Sequence, residues 1–224
     1  TLAERIDHYS TRGKWQSYHP QVQDLELPSS AGGWTRDSLG IPVLDAQVLD
    51  DLFRYHAPVW RIDTLDRNDQ PGRPGRGTDG QLQFQLEPVV FTHLAFSYVQ
   101  GVIQPQLVYL TWFAARSAES WLDIYAGALD GLVWRVTLDD QGRVLVYDSI
   151  HPCGCYHQWL LVKGGLRPRP TVNLSAEHLW VLGELSENSG PSVLSLSTGD
   201  HQLVGIQFAE GGAEAPARRV GRPY

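Results

Sequence analysis

Between Gln81 and Val162 the chain repeatedly places apolar residues at alternate positions, and a period of two restricts it to strands. Leu82, Phe84 and Leu86 alternate with Gln81, Gln83 and Gln85; Leu132, Trp134, Val136 and Leu138 alternate with Val133, Arg135 and Thr137. Successive side chains on a strand point to opposite faces, so each run offers one face to a core. Val89 to Val99 and Val102 to Phe113 are apolar and aromatic runs separated by Gln100-Gly101, with Pro105 pushing the start of the second toward an edge or a bulge. Asp139-Asp140-Gln141-Gly142 reads as a turn and Arg143 to Ile150 as the returning strand, a hairpin that puts Trp134 and Val146 on paired strands. Trp121 to Tyr125, Leu179 to Leu182, Val193 to Leu196 and Leu203 to Phe208 extend the pattern. No helical crossover fits between consecutive hairpins, so pairing is expected to be antiparallel.

The expected fold is mainly β, at the margin of α+β. It is an antiparallel sheet, sandwich- or barrel-like, with a few short helices in the N-terminal third. Residues 1–66 form a partly helical region. Thr1 and Glu4 are spaced as a capping box, and Val43, Leu44, Gln47, Val48, Asp51, Leu52 and Tyr55 follow a helical period after Pro42 and before Pro58. Residues 67–80 are a Gly/Pro loop or linker, 81–209 the β-rich body and 210–224 a tail, all within one domain.

At 224 residues, with 42% hydrophobic and 19% charged content, the composition is that of an ordered soluble protein with a substantial core. A formal charge of -7 lacks the basic footprint that nucleic acid requires, which leaves a small molecule or a protein as partner. No apolar run approaches the roughly 18 residues of a transmembrane segment. No basic and apolar signal peptide opens the chain, although processing removes such segments, so compartment stays open.

Chemistry concentrates in Tyr147-Asp148-Ser149-Ile150-His151-Pro152-Cys153-Gly154-Cys155-Tyr156-His157, which holds both cysteines and two of the eight histidines. His151, Cys153, Cys155 and His157 recur at every second position. On a straight strand their ends would lie about 20 Å apart, too far for one ion. Pro152 and Gly154, however, have the spacing of a type I turn that draws His151, Cys153 and Cys155 together. Thiolate and imidazole favour zinc or copper over hard cations. His93, His56 or His178 could complete such a metal site, His93 foremost.

Three functions follow. The first is a metal-dependent protein, a hydrolase if a coordination position stays open and Asp148 serves as base. The second is a thiol enzyme or redox pair, in which Cys153 or Cys155 attacks and a histidine favours the thiolate. The third is a non-enzymatic β-sheet binding or structural module, in which the segment is a buried turn. One residue between the cysteines matches neither haem attachment nor zinc-finger spacing, and GxSxG, HExxH, GxxxxGK[ST] and GxGxxG are absent.

Overall fold

The computed structural model describes residues 9–20, 27, 33–117, 126–167, 180–185 and 192–208. The elements are β1 (Lys14–Tyr18), β2 (Thr35–Arg36), β3 (Pro42–Val43), α1 (Ala46–Tyr55), β4 (Val59–Thr64), a 3-10 turn (Arg67–Asp69), β5 (Pro71–Arg76), β6 (Leu82–Gln85), β7 (Val90–Val99), β8 (Val102–Arg116), β9 (Gly127–Leu138), β10 (Val144–Ile150), β11 (Gln158–Val162), β12 (Trp180–Leu185), β13 (Ser192–Leu196) and β14 (Leu203–Phe208). The chain is therefore mainly β, with antiparallel pairing dominant.

Two sheets pack face to face. The smaller runs β1-β4-β13-β14 and the larger β12-β11-β10-β9-β8-β5-β6, with β7 also paired to β8. β5 meets β8 only at Trp112 and Phe113, while β7 pairs along Val102 to Thr111, so the two share one edge of β8. Pro105 lies opposite Phe96, just before β8 begins to pair with β9 at Gln106. A missing N–H is tolerated there, in keeping with the edge position that its chemistry requires. Two pairings are parallel, β4 with β13 and β11 with β12.

The alternation reappears as the core. Leu107, Tyr109 and Phe113 of β8, Leu132, Trp134, Val136 and Leu138 of β9, Tyr147 of β10, and Leu160 and Val162 of β11 line one face of the larger sheet. Trp60 and Ile62 of β4, Leu194 and Leu196 of β13, and Leu203 of β14 cover them from the smaller sheet. Each fully buried aliphatic side chain here contributes about 1.5–3 kcal/mol. Helix α1 packs against the same core through Leu52, while the ring of Phe53 meets Tyr109 edge-on at 5.6 Å and the Tyr109 hydroxyl donates to the Phe53 carbonyl at 2.9 Å.

The expected β9–β10 hairpin forms, with Trp134 opposite Ser149 and Val146 opposite Thr137, and Gly142 supplies the positive φ of its turn. Two expectations need correction. The helix does not begin near Pro42, because Pro42 and Val43 pair with Arg36 and Thr35, and α1 starts after Asp45, whose carboxylate accepts from the Gln47 amide. Residues 67–80 are not simply a loop, since β5 crosses from β6 to β8 within them. A Cβ on Gly72 would sit 2.2 Å from the Gln85 carbonyl oxygen, so the Gly/Pro composition there serves close strand approach. Residues 1–8, with the proposed capping box, and the strand expected at 121–125 lie outside the described residues.

Leu107→Ala, at a fully buried position between the sheets, should lower stability by about 2–5 kcal/mol, read as a lower urea midpoint with an unchanged slope.

Candidate functional site

The segment 151–157 leaves the end of β10 and turns back into β11. The Gly154 amide donates to the His151 carbonyl at 2.8 Å, and the His151 amide donates to the Cys155 carbonyl at 3.0 Å. Gly154, at φ +87°, takes the left-handed conformation that closes such a turn cheaply. Both cysteines are free; Cys153 is exposed and Cys155 half-buried. Their thiols face each other, and Cys155 is pushed above the ordinary thiol value, first by its hydrogen bond to Cys153, then by burial and the charge of Cys153, while Arg116 pulls the other way.

The two flanking histidines part company. His151 turns inward, is buried, and its Nδ1 lies 3.4 Å from Oδ1 of Asp130 on β9. The other oxygen of Asp130 accepts from Nδ1 of His201 at 2.8 Å. Nε2 of His201 lies 3.3 Å from Asp69, whose carboxylate also accepts from the Thr198 hydroxyl and the Gly199 amide, both at 2.7 Å. The His201 ring stacks on Phe113, 3.8 Å between centroids and 2° from parallel. Burial alone would lower the His201 pKa, but Asp130 and Asp69 outweigh it and raise it. Burial likewise works to raise both aspartates, and their hydrogen bonds, led by His151 for Asp130 and His201 for Asp69, hold them well below the usual carboxylate range. His201 is thus held toward its protonated form between two carboxylates. Leu129, Tyr156 and His201 all have positive φ without being glycine, so backbone strain gathers around Asp130.

His157 turns to the opposite face of the larger sheet. Its Nε2 lies 3.0 Å from Oδ1 of Asp148, which also accepts from Nε of Arg135 at 2.6 Å. Arg135 and Asp148 are register partners, as are Asp148 and Trp159, and the Trp159 ring lies 4.7 Å from that of His157. His93 sits on this same face, opposite Val108, and is exposed.

The alternating run is therefore divided three ways: His151 to the interior, Cys153 and Cys155 to the turn, Asp148 and His157 to the outer face. His56 is buried near the other end of β10, where its Nε2–H donates to the Gly142 carbonyl at 3.2 Å. His178 lies outside the described residues. Among the described residues no group of three or more His, Cys, Asp and Glu is placed to hold a metal ion. The sequence reading singles out neither Asp69, His201, Arg116 nor Arg135. A charged residue on the inward phase of β9 was the available signal for Asp130.

No family model, curated protein or solved structure matches the chain.

Stability should peak near pH 6.5. His201 has a raised pKa, so its contribution is complete below about 6.5 and lost as pH rises through the folded value. His56 is depressed to about 4 by burial, so its contribution is complete above about 6.5 and lost as pH falls toward 4. Urea midpoints from pH 4 to 9 should trace this dome; His201→Gln should flatten the alkaline limb and His56→Gln the acidic one. At neutral pH His201→Gln should also cost about 3–5 kcal/mol, because it strands two buried carboxylates.

Proposed function

We propose that the 151–155 turn is a redox-active dithiol and that the chain exchanges thiol and disulfide with disulfide-bearing substrates. The observation that carries this reading is the pair of free cysteines two residues apart on one turn, Cys153 exposed and near enough to Cys155 to push its thiol above the ordinary value. Cys153, the more exposed, attacks a substrate disulfide RS–SR; the Cys153–SR bond forms, the RS–SR bond breaks and the first RS⁻ leaves. The influences of Cys153 that hold the Cys155 proton in place are then gone, and Arg116 favours its thiolate. Cys155 attacks the Cys153 sulfur and expels the second RS⁻. Two electrons pass from the dithiol to the substrate, and the two thiol protons end on the two RS⁻ groups. The small Cys-Gly-Cys ring strains the Cys153–Cys155 disulfide and makes it readily reducible, so the same steps run favourably in reverse. One substrate thiolate attacks the ring disulfide and releases Cys155, a second attacks the mixed disulfide and releases Cys153, and two electrons pass from the substrate thiols to the pair.

A second reading uses the same two sulfurs as soft ligands for zinc or copper. It ranks lower because His151 is engaged with Asp130 and His157 with Asp148, so the four-ligand set expected of zinc has only two members at the turn.

Equilibration in graded glutathione buffers, followed by alkylation and mass measurement, tests the redox reading. A single two-electron transition is expected, with Cys155→Ser trapping glutathione on Cys153. Thiols that stay reduced at every ratio, or alkylate only after denaturation, would overturn it. Stoichiometric zinc or copper in protein purified without chelator, lost in Cys153→Ser/Cys155→Ser, would move the assignment to the metal reading.

A further inference from the structure

The β7–β8 hairpin carries one long strand edge. Among the described residues β7 pairs with β8 alone, at successive positions from Val90 to Val99 and without a register shift. The outermost strands of the two sheets, β1, β6, β12 and β14, are only four to six residues long. Edge strands are ordinarily kept from pairing with other chains by shortness, charge, proline or a bulge. β7 has none of these: it runs for ten residues with no Lys, Arg, Asp, Glu or Pro among them. It also reaches solvent, with His93 exposed, Phe96 42% exposed and Tyr98 76% exposed.

The hairpin turn fixes which backbone groups of β7 face outward. Gln100 and Gly101, both at positive φ, form a two-residue loop closed by Val99 and Val102. Antiparallel pairs alternate between residues that bond to each other and residues that turn both groups away. Counting from the closing pair, Tyr98, Phe96, Leu94, Thr92 and Val90 present their amides and carbonyls to the open side. Two observations on β8 agree with this phase. Pro105, opposite Phe96, has no N–H to spend, and the carbonyl of Ile103, opposite Tyr98, accepts from Arg36. The β8 edge of the hairpin tip is thus guarded by a proline and a cation, and the β7 edge carries neither.

We propose that β7 pairs antiparallel with β7 of a second copy of this chain, about a two-fold axis at Leu94. In that register Leu94 meets Leu94, Thr92 meets Phe96 and Val90 meets Tyr98 on one face, while His93 meets Ala95 and Phe91 meets Ser97 on the other. Each outward amide finds an outward carbonyl, both exposed aromatics gain β-branched neighbours, and no Lys, Arg, Asp or Glu is set against its like. The strand is therefore complementary to itself, and one two-fold axis consumes the edge, so assembly stops at the dimer. This surface is independent of the dithiol turn.

Sedimentation equilibrium of the full chain from about 1 μM to 1 mM should show a reversible rise from the mass of one chain to that of two. Hydrogen exchange across Val90 to Tyr98 should slow over the same range. The Cys153→Ser/Cys155→Ser protein should dimerise equally well, which separates strand pairing from disulfide linkage. Phe96→Pro removes one outward N–H and spares the bonds to β8, so that protein should fold and stay monomeric. Tyr98→Lys should weaken the dimer about tenfold, and Leu39→Lys, at an apolar side chain 75% exposed between β2 and β3, should leave it unchanged. A wild-type chain of single mass at every concentration, open-ended assemblies, or a dimer that persists undiminished in Tyr98→Lys and folded Phe96→Pro proteins would overturn the proposal. So would a dimer weakened as much by Leu39→Lys as by Tyr98→Lys.

Discussion

The chain of charges from Asp69 through His201 to Asp130 is the interaction on which the arrangement of the rest depends. Asp69 ends the 3-10 turn after β4, His201 sits in the loop joining β13 to β14, and Asp130 belongs to β9. Asp69 lies where the chain passes from the smaller sheet to β5 of the larger, His201 belongs to the smaller sheet's loop and Asp130 to the larger sheet, so one imidazole ties the sheets together at one end. Hydrophobic contact between sheets is non-directional and tolerates sliding. A buried cation held by two carboxylates does not, because either mismatch leaves a charge unpaired in a poor dielectric. The same brace fixes His151 through the remaining oxygen of Asp130, and thereby fixes where the 151–157 turn begins.

Strain and satisfaction are divided unevenly around this brace. The Asp69 carboxylate is saturated by the Thr198 hydroxyl and three backbone amides, those of Gly199, Leu65 and Asp66. Asp63, one strand away, is held as fully by the Tyr9 hydroxyl and the amides of Arg12 and Gly13. These are structural carboxylates. The neighbouring side of His151 is the reverse, with orphaned polar atoms and left-handed residues at Leu129 and Tyr156.

Much of the fold was legible because strand alternation and turn chemistry are local. The β9–β10 hairpin follows from Leu132 to Leu138 and Gly142, and the 151–155 turn from Pro152 and Gly154. The misread parts are those decided by distant contacts. Pro71 to Arg76 reads as a loop by composition, yet becomes β5 because β6 and the end of β8 offer edges to it. The run His151, Cys153, Cys155, His157 reads as one cluster under strand or turn geometry. Its histidines diverge because Asp130 and Asp148, facing opposite sides of the larger sheet, each claim one. Neither Asp69 nor His201 carries any local mark, since their meeting is made by the packing of two sheets.

The parallel pairing of β4 with β13 governs when the molecule can become complete. Val59 and Val193 are 134 residues apart in sequence, and β13 lies between β4 and β14. During synthesis the meander from β7 through β11 can pair as it emerges, while β4 waits with one row of amides and carbonyls uncovered until β13 arrives. Closure over so long a span of chain is slow. In that interval the open edge of β4 is a template for strands of other molecules, and chaperone engagement or aggregation at low folding rate would begin there.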